Sequence, residues 1–95
     1  VAITLDLSSD YNNISANNIK NNEFGIAISY SSHNIISSNN ITGNTYHGVQ
    51  LFSSSNNTVS CNYVANHGWS GYGIGLYGSC DNNLVLGNTI TNNSG

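Results

Sequence analysis

The stretch Asn34–Asn44, NIISSNNITGN, has the form N-x-I-x-x-N-x-I-x-x-N, in which asparagine and an aliphatic residue return at fixed intervals. The same phrase is written four times in the chain, and the other copies occupy residues 12–22, 57–67 and 83–93. Only the third copy departs from it, because His67 stands where the others have their last asparagine. A phrase that returns at a nearly fixed period predicts a fold of stacked repeats.

The distance between copies increases along the chain. The first aliphatic position of the phrase advances by 22 residues from 14 to 36, by 23 from 36 to 59 and by 26 from 59 to 85. Most of the extra length in the last step comes from residues 67–72, HGWSGY. A glycine-flanked insertion that carries Trp and Tyr predicts an exposed loop, where binding residues are often found.

A second, shorter pattern precedes each asparagine phrase. It alternates aliphatic and other residues, as in Gly48–Leu51 (GVQL), and predicts a short strand with one apolar face. The asparagine phrase supplies two more short strands, so one repeat has three strands and three corners and closes one turn of a coil. Stacked coils would place each strand parallel to its copy, about 4.8 Å away, with the aliphatic side chains in inward columns. The predicted columns are Ile26/Val49/Ile74, Ile14/Ile36/Val59/Val85 and Ile19/Ile41/Val64/Ile90.

Asparagine suits the corners of such a coil for two reasons. It tolerates the left-handed backbone conformation that tight corners require. Its amide can also donate to and accept from the same residue one coil away, so the sequence predicts ladders of stacked asparagines.

The charge of the chain excludes one large class of function. It has one basic residue, Lys20, four acids and a net charge of −3. A nucleic-acid-binding protein needs clustered Lys and Arg, so nucleic acid is not an expected partner. No apolar run reaches the roughly 18 residues of a membrane span. The pattern is already under way at Val1 and still running at Gly95, so we expect further coils at both ends.

The two cysteines, Cys61 and Cys80, occupy different places in their repeats. A disulfide requires Cα atoms within about 7 Å, and nothing in the pattern makes these residues neighbours. We therefore do not expect them to be paired.

The two phrases together resemble the right-handed parallel β-helix repeat family, which includes NosD-type periplasmic copper-handling domains and carbohydrate-binding or sugar-hydrolysing proteins. The resemblance covers essentially the whole chain. It implies an all-β, right-handed parallel β-helix of about four coils and an extracellular, cell-surface or periplasmic protein that handles polysaccharide. It implies no cofactor, because the repeat phrase itself carries no copper ligand.

The acidic residues offer a weak case for catalysis. Glycoside hydrolysis uses two carboxylates about 5–10 Å apart, and Asp6 and Glu23 are the one candidate pair. Asp10 and Asp81 fit turn-forming positions better. Lyase or epimerase chemistry on uronic acids would need Arg and Lys residues or a carboxylate cluster at the site, and the chain, with Lys20 as its single basic residue, offers neither.

Histidines are the candidates for a metal site. His47 and His67 both precede a leading strand and could approach one another on adjacent coils, whereas His33 lies at another corner. Without a Cys or carboxylate partner, surface histidines in turns are the simpler interpretation.

Aromatic residues on both flanks of the leading strands are the best candidates for binding. They would border a floor of Thr4, Ala27, Gln50 and Gly75, so that a sugar ring above this floor could stack against them. The alternative is that the aromatic residues only stabilise the packing of neighbouring coils. One flank has Phe24, Tyr46, Trp69 and Tyr72, and the other has Tyr30, Phe52 and Tyr77.

Three functions therefore stay open at the level of sequence. The first is a non-catalytic scaffold that binds carbohydrate through the aromatic flanks and Gln50. The second is part of a polysaccharide-active enzyme whose catalytic residues lie elsewhere. The third is a metal-handling domain that uses the histidines.

Overall fold

The computed structural model describes residues 1–95 and contains strands of three or four residues joined by tight corners. No helix is present, so none is available to span a membrane. The strands are β1 (Ile3–Asp6), β2 (Asn13–Ser15), β3 (Asn18–Lys20), β4 (Ile26–Ser29), β5 (Ile35–Ser37), β6 (Asn40–Thr42), β7 (Val49–Phe52), β8 (Thr58–Ser60), β9 (Tyr63–Ala65), β10 (Ile74–Tyr77), β11 (Leu84–Leu86) and β12 (Thr89–Thr91).

Each strand pairs in parallel with the equivalent strand of the next coil, three strands further along the chain, and this gives three four-stranded sheets. Sheet A has the order β1-β4-β7-β10, sheet B β2-β5-β8-β11 and sheet C β3-β6-β9-β12. Three consecutive strands, one from each sheet, make one coil, and the four coils begin at β1, β4, β7 and β10. The predicted all-β coil of three strands is confirmed.

The predicted columns of aliphatic residues are confirmed by the strand register. In sheet B, Ile14 pairs with Ile36, Ile36 with Val59, and Val59 with Val85. In the middle coils these side chains are fully buried, because every strand has a neighbour on both sides. Val85 and Ile90 line the open edges of sheets B and C and are 42% and 49% exposed.

The predicted asparagine ladders form at two of the three corners of every coil and partly at the third. In each ladder the side-chain Oδ1 accepts a hydrogen bond from the backbone N–H of the equivalent residue on the preceding coil. Asn62 shows the pattern, since its Oδ1 accepts from the Asn39 N–H at 2.9 Å and its Nδ2 donates to the Ile36 carbonyl at 3.0 Å. The amide thereby satisfies backbone groups that a bend would otherwise bury without a partner.

The reason for asparagine at the corners differs in part from the predicted one. The ladder asparagines themselves do not adopt the left-handed conformation; the residue directly before each of them does. This position accepts Ala16, Ser38, Cys61 and Gly87 among others. A left-handed conformation costs a non-glycine residue about 1–2 kcal/mol, so the ladder hydrogen bonds must offset that cost at the corners where this residue is not glycine.

A further ladder, which we did not predict from the sequence, lies at the serine-rich corner after sheet A. The hydroxyl of Ser31 accepts from the Ser9 N–H at 3.0 Å, and the hydroxyl of Ser54 accepts from the Ser31 N–H at 3.1 Å. Cys80 takes the next place, with its Sγ 3.5 Å from the Ser54 nitrogen. Cys61 lies at a different corner and is exposed, and both cysteines are free thiols.

Candidate functional site

Aromatic side chains cluster beside the N-terminal ends of the strands of sheet A. Phe24, His47 and Tyr72 occupy the same place on successive coils, two residues before the strand. The His47 ring lies 5.6 Å from Phe24 and 5.5 Å from Tyr72, with which it is stacked at 15°. Tyr46 packs beside Phe24 at 5.4 Å. We call Phe24, Tyr46, His47, Tyr72 and Tyr77 the aromatic edge.

A glycine follows Phe24, His47 and Tyr72, and it allows the backbone to approach the core closely. A Cβ added to Gly48 would lie 2.5 Å from Val64 Cγ1 and 2.6 Å from the Gly73 carbonyl oxygen. The strand therefore enters the sheet with no side chain at this point, and the preceding aromatic residue is left on the outside. The sequence signal is an aromatic residue or histidine followed by glycine and an aliphatic residue, and it places His47, predicted only as a candidate metal ligand, in line with Phe24 and Tyr72.

The backbone of Tyr77 lies on the predicted flank, in register with Phe52, but its ring does not stay there. The ring folds back over Gly75, where an added Cβ would lie 2.8 Å from Tyr77 Cε2. The ring centroid then lies 5.6 Å from that of His47 and 6.5 Å from that of Tyr72. On the third coil Gln50 occupies the place of Gly75, and Phe52 instead packs edge-on against Tyr30 at 5.5 Å.

His47 is fixed by hydrogen bonds on both ring nitrogens. Its Nδ1 accepts from the Tyr72 backbone N–H at 3.0 Å, and its Nε2 lies 3.3 Å from the Tyr77 hydroxyl. Burial lowers the pKa of His47 below its ordinary value. Burial, and secondarily the neighbouring Tyr72, raises the pKa of Tyr77. Both groups are therefore neutral at pH 7, which suits hydrogen bonding to a neutral ligand and not proton abstraction by Tyr77.

His67 has a structural role, as a member of the ladder at a corner of the coil. It is 1% exposed, its Nδ1 accepts from the Asn44 N–H at 3.2 Å and its Nε2 lies 3.2 Å from the Ile41 carbonyl oxygen. The imidazole thus makes the two bonds that an asparagine amide makes elsewhere in the ladder. Its backbone N–H in turn donates to Asn93 Oδ1. Both nitrogens are occupied, so His67 has no lone pair left for a metal ion.

The other candidate residues for chemistry lie apart. His33 stacks on Tyr11 with ring centroids 4.8 Å apart. Asp6 is in register with Ser29 at the end of the strand, whereas Glu23 precedes its beginning, six residues back along the coil. At about 3.3 Å per residue this separation is roughly 15–20 Å, well beyond the spacing of a carboxylate pair in glycosidases. The structure contains no cluster of three His, Cys, Asp or Glu residues that could hold a metal ion.

The predicted loop is a tight turn that carries Trp69 at its tip. The Gly71 N–H donates to the Gly68 carbonyl at 2.7 Å, and both residues between them, Trp69 and Ser70, have positive φ. The Trp69 side chain is 79% exposed. A large aromatic side chain exposed at the tip of a turn marks Trp69 as a candidate binding residue.

Gly71 holds this turn against the aromatic edge, and a side chain there should not be tolerated. A Cβ on Gly71 would overlap the Tyr46 carbonyl oxygen, which is backbone and cannot rotate away. We expect Gly71→Ala to lower the free energy of unfolding by about 1–3 kcal/mol, as overpacking usually does, in a urea titration. Gly68→Ala is the matched control, since its Cβ would meet nothing closer than the Thr45 carbonyl oxygen at 3.5 Å. Equal stability of the two variants would contradict this account.

A shallow cavity of about 260 Å³ lies beside Tyr72 and Tyr77. It lies against β10 at the open edge of sheet A. Its lining consists of Tyr72, Ile74, Gly75, Leu76 and Tyr77. The predicted floor residues Thr4, Ala27, Gln50 and Gly75 are in register across sheet A.

Comparison with curated proteins and with solved structures finds no match for this chain. Its sequence does match a family model, described as right handed beta helix region, over residues 4–95. The match spans nearly the whole chain, and the coils, registers and ladders of the structure agree with it. The chain therefore belongs to the right-handed β-helix family.

Proposed function

We propose that the chain is a non-catalytic, carbohydrate-binding segment of a β-helix protein that acts at the cell surface, in the periplasm or outside the cell. The ligand lies along sheet A, against the aromatic edge and Trp69. The observation that carries this proposal is the 79% exposed Trp69 at the tip of a turn that packs against the backbone of Tyr46.

Exposed aromatic rings at one edge of a flat sheet suit a sugar chain. Tyr72 is 48% exposed and Tyr46 36% exposed, on the same edge as the Trp69 turn. An aromatic ring gains by covering the apolar C–H face of a sugar, while its polar tip keeps a hydrogen bond. The neighbouring Gln50 amide is half-buried in the floor and can bond to sugar hydroxyls.

The alternative functions have less support from the arrangement of side chains. A polysaccharide-active enzyme would need catalytic residues other than Asp6 and Glu23, which lie at opposite ends of sheet A. A copper-handling domain would need ligands other than His67, whose ring nitrogens are both occupied. The aromatic edge, in contrast, presents its rings and hydroxyls without rearrangement.

Loss of Trp69 should therefore remove most of the affinity for glycans. We expect Trp69→Ala to weaken binding of neutral oligosaccharides at least tenfold by calorimetry, because a central aromatic contact contributes more than about 1.4 kcal/mol. Tyr63→Ala is the control, since Tyr63 is a half-exposed aromatic residue on sheet C, away from the site. In the wild-type protein the fluorescence of Trp69, the one tryptophan, should change during the titration. Unchanged affinity of Trp69→Ala, or no binding of any glycan by the wild type, would refute the proposal.

A further inference from the structure

The turn that carries Trp69 begins directly after His67 and is attached there to the coil before it. The His67 Nδ1 accepts from the Asn44 backbone N–H at 3.2 Å. The next residue, Gly68, donates its own N–H to the Asn44 carbonyl, also at 3.2 Å. Both backbone groups of Asn44 therefore hold the start of the turn, and one of the two bonds depends on an imidazole nitrogen.

The turn ends at Tyr72, where a second histidine holds it. The Tyr72 backbone N–H donates to His47 Nδ1 at 3.0 Å. At the shorter corner one coil earlier, the Tyr46 N–H donates to the Glu23 carbonyl at 2.8 Å. The longer corner at residues 68–72 leaves the Tyr72 N–H without a backbone acceptor, and the imidazole takes that place.

Each of these bonds requires that Nδ1 carry no proton. A backbone N–H can only donate, so the imidazole must accept through a lone pair, and the proton of the neutral ring is on Nε2. In His67 the Nε2–H faces the Ile41 carbonyl oxygen at 3.2 Å. In His47 it faces the Tyr77 hydroxyl at 3.3 Å. A second proton on either ring would be on Nδ1, pointing at the N–H that the ring now binds.

The rest of this ladder uses an acceptor that does not titrate. The position of His67 is held on the neighbouring coils by Asn44 and Asn93, whose Oδ1 atoms accept in the same way. An amide oxygen accepts at any pH, whereas an imidazole gains a proton near pH 6.5. The chain therefore has a pH-sensitive acceptor at both ends of the one turn that carries a tryptophan.

The groups packed against His47 carry no charge that would hold a second proton. Its ring contacts those of Phe24, Tyr72 and Tyr77, which are uncharged at neutral pH. Glu23, next to Phe24, is the nearest carboxylate along the chain, and it is exposed. Burial accordingly lowers the pKa of His47.

The surroundings of His67 are also neutral. Its ring nitrogens face the Asn44 N–H and the Ile41 carbonyl oxygen, and Gly48 packs against Nε2. Burial lowers the pKa of His67, and the nearby His47 lowers it further. A proton on one ring thus opposes a proton on the other for as long as the turn stays attached.

We propose that His47 and His67 are positioning residues for the Trp69 turn, and that protonation of both in mild acid releases the turn and the carbohydrate bound to Trp69. At neutral pH the two imidazoles accept, the turn is fixed and the glycan is held. This inference rests on the proposed function for its ligand, but the release of the turn is measurable in the free protein.

Amide hydrogen exchange followed by NMR measures this release. The exchange rate of the Tyr72 amide, relative to its intrinsic rate, gives the equilibrium between the attached and the released turn. The released turn binds two protons that the attached turn does not, so protection should fall below pH 6.5 by up to about a hundredfold per pH unit. The Asn44 amide, bonded to His67, should lose protection with the same slope. The Tyr46 amide, bonded to the Glu23 carbonyl, is the internal control and should show no such fall.

Asparagine at either position removes the titration and keeps an acceptor, because its Oδ1 stands as many bonds from the backbone as the histidine Nδ1. His67→Asn should reduce the slope at Tyr72 to at most about tenfold per pH unit, since one histidine is left. The double variant with His47→Asn should abolish it. His33→Asn, which changes an exposed histidine stacked on Tyr11, is the matched control and should keep the wild-type slope. His47→Phe keeps a ring but no acceptor, so the Tyr72 amide should be poorly protected at every pH.

Binding of neutral oligosaccharides is then measured for the same proteins, with circular dichroism at each pH to show that the coils are folded. These ligands do not titrate, and carboxylates titrate near pH 4, so a change between about pH 7.5 and pH 5 reports on the histidines. The wild-type affinity should fall by more than about tenfold over this range. In the double variant the affinities at the two pH values should be equal.

The outcomes separate this inference from the proposed function. Binding through Trp69 with equal affinity at both pH values would overturn the inference and leave the proposed function in place. Protection of the Tyr72 amide that falls equally in the wild type and the double variant would overturn it as well. If no oligosaccharide is bound, the proposed function fails and the release of a glycan fails with it, while the Tyr72 amide still decides whether the histidines hold the turn.

Discussion

Replacing Asn62 by leucine should lower the free energy of unfolding by roughly 2–6 kcal/mol, the largest effect we expect from any single polar substitution in this chain. The Asn62 amide binds three coils together. Its Oδ1 accepts from the Asn39 N–H, and its Nδ2 is within 3.0 Å of both the Ile36 carbonyl oxygen and Asn88 Oδ1. The site is nearly sealed from water, with Asn62 2% exposed.

Leucine has a similar volume but can neither donate nor accept. The Asn39 N–H and the Ile36 carbonyl would then lose their side-chain partners inside the protein, and each buried unsatisfied group costs about 1–3 kcal/mol. Cys61, the residue before, would also keep its left-handed conformation without the hydrogen bonds that offset its cost. We therefore expect more than the loss of one ordinary hydrogen bond.

Urea unfolding followed by circular dichroism would measure the effect, with Asn40→Leu as the matched control. Asn40 is exposed on β6, and its side chain donates one bond of 3.3 Å to Asn18. The control should change stability by less than about 0.5 kcal/mol, as surface substitutions usually do. If Asn62→Leu unfolds at the same urea concentration as Asn40→Leu, the ladders do not stabilise the coil as we describe.

The fold could be predicted from the sequence because its determinants repeat. The spacing of Ile14, Ile36, Val59 and Val85 fixes which side chains stack, and the structure places these residues in one register. A strand of three residues has little intrinsic preference for β structure, so the fold can be predicted because the same pattern returns in every coil. Which corner residue adopts the left-handed conformation was predicted less well, because it is the residue before each ladder asparagine.

The site could be predicted only in part, because it depends on departures from the repeat. The direction of the Tyr77 ring follows from the missing Cβ of Gly75, a contact between residues two apart that the pattern of aromatics alone does not reveal. The inclusion of His47 in the aromatic edge follows from its register with Phe24 and Tyr72. His67 takes a ladder position that an asparagine holds on the other coils, so residue type alone suggested a metal ligand where the structure has a hydrogen-bonded corner. Cys80 likewise takes the place of a serine.

Acid should unfold the protein earlier than its few carboxylates would suggest, because His67 is buried in the ladder in its neutral form. Burial lowers the pKa of His67, and the nearby His47 lowers it further, against the opposing effect of its bonds to Asn44 and Ile41. Between the lowered pKa and the ordinary value near 6.5, the unfolded chain binds a proton that the folded chain does not. Stability is therefore complete above about pH 6.5 and declines as the pH falls below it.

Replacing His67 by asparagine should remove most of this acid sensitivity, because it restores the residue that the repeat has at this position on the other coils. Protonated histidine has no acceptor for the Asn44 N–H, whereas an asparagine Oδ1 accepts at any pH. We expect the wild type to lose about 1–3 kcal/mol between pH 7 and pH 4 through this one broken contact, and His67→Asn to lose distinctly less. His33→Asn, which changes an exposed histidine stacked on Tyr11, should leave the decline in place. Parallel declines for the wild type and His67→Asn in urea titrations across this pH range would show that the imidazole does not act as a ladder amide.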